Sequence, residues 1–416
     1  MTADTPTLSL PLVRARDHAP TTAPSPSQPR PVTNTPPRFT VDGSAELESH
    51  LARTCAKIAA GLRGLLPPEK LEAVLLGGGY GRGEGGVLRT ERGDRPYNDL
   101  EFYVCLRGNR HLNEKLHGHA LHVLGEILTP QAGVEVEFKI TSLRELAAKP
   151  VSMFSYDLVS GHRWLVGDEA LLAGCAHHRR AEHIPLAEAT RLLMNRCSGL
   201  LFAEERLQRA TFTAADADFV RRNIAKAELA LGDALLVGRR HYHWSAEERQ
   251  ARIDSLTRAE DKAWLHDLCR HHAAGVRFKL HPERSVATAE TLRPYHAELR
   301  RLSLESWLRL ETLRLGRSFS SAAEYARHPI DKCPETAGPR NVLVNFKVLG
   351  PRAGLGARAL HSPRNRVLHA LALLLWEPAT VGTPALLARV QTELGTEATT
   401  FRDLVAAYRE IWQHVN

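Results

Sequence analysis

A glycine-rich loop and two pairs of carboxylates are the residues of this chain whose types and spacing could do chemistry. Seven of the ten residues 77–86 are glycine, and such a loop lets backbone N–H groups approach an anion without Cβ atoms in the way. Asp99 and Glu101 follow two residues apart, so on a strand both carboxylates leave the same face. Glu135 and Glu137 repeat that spacing. Carboxylates that converge beside a phosphate-binding loop favour a Mg²⁺ site, because hard oxygen ligands suit this cation.

Other phosphate-binding motifs fit the loop less well. A Walker loop requires Gly-Lys-Ser/Thr, and residues 77–86 contain no lysine. The Gly-x-Gly-x-x-Gly spacing at 81–86, followed by Glu101, matches a dinucleotide-binding fingerprint. That fingerprint must open an apolar helix, whereas Gly93 and Pro96 interrupt the segment that follows. Two plainer alternatives stay open: a flexible turn for the glycines, and amphipathic strands whose acids face water.

The segments around these residues alternate between helix and strand. Apolar residues at helical spacing predict two helices, the second ending before Pro130, and short apolar or alternating runs predict three strands. The helices are expected at 45–65 and 112–128, and the strands at 71–76, 99–104 and 134–139. The first ordered unit is therefore predicted to be α-β-loop-β-α-β, which places every candidate carboxylate on or beside a strand.

Helical periodicity dominates after Thr141, and only Val342 to Val348 reads ambiguously as strand. The first 44 residues hold nine of the 24 prolines, which predicts a disordered tail rich in Pro, Thr and Ser. We therefore expect an α+β protein with three parts: the tail at 1–44, a small α/β core at 45–150, and a large all-helical region at 151–416.

Composition limits the function classes. The chain has 55 Lys and Arg against 47 Asp and Glu, and residues 151–416 hold 37 basic and 30 acidic residues, a net charge of +7. This excess leaves nucleic acid open as a partner but does not favour it, since no basic run or aromatic-basic stripe accompanies it. No apolar run is long enough for a membrane helix, the N-terminus lacks signal-peptide features, and the six cysteines are scattered. We expect a cytoplasmic protein that does not bind membranes.

The motif GGYGRGE at residues 78–84, then Asp99-Leu100-Glu101, then a carboxylate on a third strand, resembles the DNA polymerase β-type nucleotidyltransferases. The likeness is greatest to the small bacterial members, the aminoglycoside and minimal nucleotidyltransferases, and it covers residues 45–145. Two features depart from the family pattern: Gly79 stands where a serine is usual, and residues 85–98 lengthen the distance from the loop to the acids.

The resemblance implies a small core with a mixed sheet and a Mg²⁺-dependent transfer of a nucleoside monophosphate. ATP is the expected donor, and AMP is the group transferred. The acceptor is an unidentified hydroxyl, on a small molecule or a protein, bound between the core and the helical region. By likeness to the family, Asp99 and Glu101 hold two Mg²⁺ ions. Glu137 shares one ion and helps deprotonate the acceptor, with Glu135 as the alternative third carboxylate.

The same likeness assigns the nucleotide to the glycine loop. Backbone N–H groups of Gly78 and Gly79 are expected to hold the β- and γ-phosphates. Arg82 is expected either to contact phosphate or to brace the loop by pairing with Glu84. Two other functions remain as alternatives: an RNA-directed nucleotidyltransferase, and a catalytically silent nucleotide-binding or interaction protein.

Overall fold

A computed structural model describes residues 38–336, 338–350 and 359–415. Most of the predicted disordered tail lies outside these residues. The last part of the tail is described, and it packs on the core: Phe39 and Thr40 are buried, and their backbone N–H groups donate to the Glu48 carboxylate at 2.8 and 3.0 Å. Ordered packing therefore begins at least five residues before the predicted boundary near Ser44.

The core is built on a mixed sheet of four strands with the order β5-β4-β1-β6. A separate two-stranded hairpin, β2–β3, occupies part of the long insert after the glycine loop. The strands are β1 (Leu71–Leu76), β2 (Val87–Thr90), β3 (Gly93–Pro96), β4 (Leu100–Leu106), β5 (Val136–Thr141) and β6 (Arg163–Val166). Strand β4 runs parallel to β5 and antiparallel to β1, which in turn pairs antiparallel with β6. The predicted α+β class, with a small α/β core followed by a helical region, is confirmed.

Side-chain alternation divides the sheet between two layers of helices. Val74 and Val104 point into one apolar cluster with α1 (Ala45–Leu65) and α3 (Arg110–Ala132). Leu75 and Tyr103 point into another with α4 (Leu143–Ala148) and α5 (Met153–Ser160). Because Glu101 has the same parity as Tyr103 along β4, its side chain leaves the sheet on the α5 side.

The helix α3 differs from its predicted end. It continues through Pro130 to Ala132 and stops at Gly133, whose φ of 77° is left-handed. Pro130 has no N–H to donate to the Glu126 carbonyl, but only the last turn of the helix is affected, since the helix ends two residues later. The prediction that the helix ends before Pro130 is therefore wrong.

A short helical turn, α2 (Gly78–Gly81), follows β1, and the regular elements described after β6 are all helices. Two 3-10 segments, Glu169–Arg179 and Ala181–His183, lead into this region. Its helices are α6 (Leu186–Leu207), α7 (Ala214–Gly238), α8 (Ala246–Glu260), α9 (Ala263–Leu280), α10 (Ala289–Leu315), α11 (Ala322–Arg327), α12 (Gly338–Leu349), α13 (Pro363–Trp376), α14 (Pro384–Leu394) and α15 (Phe401–Val415). The ambiguous segment Val342 to Val348 lies within α12 and is helical. None of the helices in the described segments is both long and apolar enough to cross a bilayer.

Candidate functional site

Three of the predicted carboxylates meet at the N-terminal end of β4 and β5. Asp99 immediately precedes β4, and Glu101 lies directly opposite Glu137 in the parallel register. One carboxylate oxygen from each of the three lies within 4.8 Å of the others. Two ligands of a single Mg²⁺ lie at most about 4.2 Å apart, twice a metal–oxygen distance of about 2.1 Å. Small side-chain movements would therefore bring these oxygens into a common coordination shell.

The fourth candidate, Glu135, lies outside this group. It precedes β5 at an exposed position, and its carbonyl accepts a hydrogen bond from the backbone N–H of Leu100 at 2.8 Å. Its backbone thus helps to align the two acidic strands. Among the described residues, the cluster of possible metal ligands contains Glu137 and not Glu135.

The negative charge of Asp99 is in an unfavourable environment within the carboxylate cluster. Neighbouring protein atoms partly desolvate this side chain, and the charges of Glu101 and Glu137 add repulsion, so the pKa of Asp99 is raised above its ordinary value. Its carboxylate makes no ion pair within the described part of the chain. A bound cation would relieve both effects, so this group has the electrostatics of a cation site.

Lys139 partly neutralises the other two acids. Its Nζ donates to Glu101 Oε1 at 2.8 Å and lies 3.0 Å from Glu137 Oε2. Partial burial disfavours the charged ammonium, but the hydrogen bonds and charges of the glutamates outweigh it and raise the pKa of Lys139 overall. The ammonium therefore stays charged and competes with any metal ion for these two carboxylates.

The glycine loop is packed tightly rather than flexible. The Tyr80 side chain is buried beneath it, and its hydroxyl donates to the Gly86 carbonyl and accepts from the backbone N–H of Tyr97, both at 2.9 Å. Gly78 has a φ of 59°, and a Cβ added there would lie 2.8 Å from Glu101 Oε2. Glycine at this position thus lets the loop backbone approach the carboxylate cluster closely.

Two backbone donors of the loop are free. No acceptor within the described residues is bonded to the N–H groups of Gly78 or Gly79. A Cβ at Gly79 would lie only 3.0 Å from the Glu84 carbonyl oxygen. Glycine at this position therefore permits a close turn, with backbone donors that can bind an anion.

The residues Arg82 and Glu84 brace the loop against other elements and not against each other. Arg82 pairs with Asp157 of α5 at 3.4 Å. The buried Glu84 carboxylate accepts from the Ser245 hydroxyl at 2.6 Å, and Lys279 Nζ donates to it at 2.9 Å. Burial and the Lys279 charge act in opposite directions, and the cations together with the hydrogen bonds hold the pKa of Glu84 below its ordinary value. The loop is thus fixed to α5, α8 and α9.

A cleft of about 1280 Å³ opens beside the cluster. Glu101, Glu137 and Gly78 lie in its wall, and α3, α4, α5 and the start of α6 complete it. Phe154, which is 49% exposed, packs near Tyr103 with 5.3 Å between ring centroids. The cleft offers space for a ligand next to the acids, and its wall mixes polar and apolar side chains.

One cation of the helical region, Lys226, approaches the site and was not predicted. Desolvation by neighbouring atoms and the charges of Arg196 and Arg222 lower the pKa of Lys226 on α7. The nearby negative charge of Asp99 offsets part of this lowering. Arg222 pairs with Asp218, whereas Arg196 and Lys226 have no ion pair in the described segments. The net positive charge of residues 151–416 was the sole sequence signal for such a cation, and it did not indicate that Lys226 lies near the site.

Comparison with known proteins gives no identification. No protein-family model matches the chain, and searches of curated proteins and of solved structures found no similar protein.

Proposed function

We propose that this chain is a Mg²⁺-dependent nucleotidyltransferase that transfers a nucleoside monophosphate, with AMP from ATP as the expected case, to a hydroxyl of an acceptor bound in the cleft. The observation that carries the proposal is the convergence of Asp99, Glu101 and Glu137 within 4.8 Å beside free backbone donors of the glycine loop. The donor set suits Mg²⁺, since all three ligands are carboxylate oxygens. When bound there, Mg²⁺ would supply charge stabilisation for a phosphoryl group and lower the pKa of a coordinated hydroxyl.

The protein's own groups have separate roles in this proposal. The N–H groups of Gly78 and Gly79 hold the terminal phosphates, and Lys226 supplies positive charge from the helical side. The acceptor oxygen forms a bond to the α-phosphorus while the bond from that phosphorus to pyrophosphate breaks. Glu137 takes up the proton that the acceptor hydroxyl loses.

The charge of Lys226 supports the triphosphate role. Its side chain is exposed and makes no ion pair in the described segments, and partial desolvation together with the nearby Arg196 and Arg222 lowers its pKa. A triphosphate would provide the missing negative charge. This charge balance favours a nucleotide over an uncharged ligand.

The test is pyrophosphate release and label transfer from each of the four α-³²P nucleotides, with and without Mg²⁺. The purified protein alone serves to detect self-labelling, and total RNA and a panel of small hydroxyl compounds serve as acceptors. We expect Mg²⁺-dependent pyrophosphate release that Asp99→Asn removes. Equal release by wild type and Asp99→Asn would contradict the proposal.

One observation favours the catalytically silent alternative. Lys139 already neutralises Glu101 and Glu137 from within the chain, as a built-in counter-ion would in a protein that needs no metal. This alternative predicts nucleotide binding that is independent of Mg²⁺ and no turnover with any acceptor.

A further inference from the structure

The solvent side of α3 carries an apolar stripe. Four large apolar side chains on this helix are exposed: Leu112 by 56%, Leu116 by 65%, Val123 by 36% and Ile127 by 59%. At 100° per residue they fall within an arc of about 60°. The opposite face, which includes Leu121 and is buried against the sheet and α1, already holds α3 in the fold. The stripe is therefore not needed for packing within the described residues.

The spacing of the stripe is the same in both directions along the helix. The four residues are separated by four, seven and four positions, so the pattern is symmetric about residues 119 and 120. A two-fold interface requires such self-complementarity, because each residue i that contacts j is matched by j contacting i. In an antiparallel pair of α3 helices, Leu112 would meet Ile127 of the other copy and Leu116 would meet Val123.

Charges beside the stripe select the antiparallel arrangement. Lys115 and Glu126 lie on the same flank of the stripe, and an antiparallel pair brings Lys115 of one copy to within about 3 Å of the level of Glu126 of the other. In a parallel pair the flank that carries both charges would face the opposite flank of the other copy, so Lys115 and Glu126 would not meet. Lys115 is exposed and has no ion pair in the described structure, and Glu126 has only an exposed contact with His122 at 3.6 Å.

We propose that a second copy of this chain covers the stripe, giving a homodimer through antiparallel α3 helices. The distance from Leu112 to Ile127 along the helix is about 22 Å. A single helix-to-helix contact of that length buries less area than the roughly 800 Å² per partner of a standard interface. The dimer is therefore weak and reversible, and its population depends on concentration. This inference does not depend on the proposed function.

The first test is sedimentation equilibrium of the full chain over a hundredfold concentration range. Wild type shows a monomer–dimer equilibrium, and Leu116→Asp raises the dissociation constant by more than about tenfold, because it places two carboxylates in an apolar contact. The control is Leu313→Asp on α10, whose leucine is 56% exposed, and it leaves the equilibrium unchanged. Melting temperatures confirm that both variants are folded.

The second test fixes the geometry by crosslinking single-cysteine additions with a short bis-maleimide. His119→Cys, beside the two-fold axis, crosslinks between copies, whereas Ile127→Cys does not, because its copies are about 22 Å apart along the axis. The native cysteines give the background; all are buried except the partly exposed Cys269. A monomer at every concentration, a dimer that survives Leu116→Asp, or crosslinking by Ile127→Cys but not by His119→Cys would each overturn the proposal.

Discussion

Acidic side chains have opposite environments at the sheet and in the helical region. In the helical region, Glu311 of α10 is fully buried, and both of its carboxylate oxygens have hydrogen-bond partners. The hydroxyls of Thr190 and Tyr325 donate to it at 2.7 and 2.8 Å, and Arg314 pairs with it at 2.7 Å. At the end of β4, Asp99 is exposed and lacks an ion pair in the described chain, and its raised pKa reflects partial desolvation and two neighbouring glutamates.

The difference separates two uses of a carboxylate. An acid that receives several donors contributes to a unique packing, and losing it leaves its partners unsatisfied. Acids that gather without enough cations cost stability, and a ligand that supplies positive charge would relieve that cost. The same chain thus holds structural acids and candidate ligand-binding acids, and they can be told apart by their partners.

The largest expected effect is the loss of transfer in Asp99→Asn and in Glu101→Gln. Each removes a charged ligand from the cluster while keeping its shape, so both variants should fold normally and show no measurable turnover. Initial rates of pyrophosphate release and circular dichroism measure the two outcomes. Near-normal turnover with a normal fold in both would show that these acids are not metal ligands.

Substitution of Glu311 should lower stability, in contrast to the Asp99 and Glu101 variants, which should lose turnover and keep the fold. Removing one partner of a buried ion pair costs about 3–5 kcal/mol, so Glu311→Ala should lower the free energy of unfolding by that amount in urea denaturation. The control on the same helix is Glu305→Ala, whose exposed pair with Arg309 is worth at most about 1 kcal/mol. Equal losses in the two variants would remove the distinction between structural and exposed acids in the helical region.

Glu137 and Glu135 offer a matched comparison within the sheet. We expect Glu137→Gln to reduce turnover by at least about 100-fold, the scale of a general base, and Glu135→Gln by less than about tenfold. The structure gives the physical reason, since the Glu137 carboxylate lies in the cluster and that of Glu135 does not. Reversed effects would assign the third role to Glu135, and small effects in both would favour the silent alternative.

The smallest expected effect is on stability near neutral pH without Mg²⁺. Because the folded pKa of Asp99 lies above its unfolded value, its charge destabilises the fold at pH values above the folded pKa, and this cost disappears as pH falls through it. Asp99→Asn should therefore raise the melting temperature near neutral pH and have less effect in acid. A lowered melting temperature in Asp99→Asn across the pH range would contradict the raised pKa.

Periodicity predicted the elements that position the site. The strands β1, β4 and β5 and the helices α1 and α3 have regular apolar spacing, and all appear near the predicted bounds. The strand β6 was missed because it has only four residues, all half-buried, and its pairing with β1 joins positions about 90 residues apart. The hairpin β2–β3 was missed because only one residue of each strand is buried.

The site was predictable where its residues are close in sequence. Lys139 could have been found, since it lies two residues after Glu137 on the same strand face. Lys226 could not, because tertiary packing alone brings α7 towards Asp99, which lies 127 residues earlier in the chain. The bracing of Glu84 by Ser245 and Lys279 depends on the same long-range packing.

The most direct measurement is Mn²⁺ binding, followed by electron paramagnetic resonance, with Mn²⁺ in place of Mg²⁺. Wild type and Glu135→Gln should bind the ion with similar affinity, and Asp99→Asn and Glu101→Gln should bind it far more weakly. Lys139→Met should bind it more tightly than wild type, because the competing ammonium is gone. No Mn²⁺ binding by wild type, or equal binding by wild type, Asp99→Asn and Glu101→Gln, would contradict a metal centre at these carboxylates.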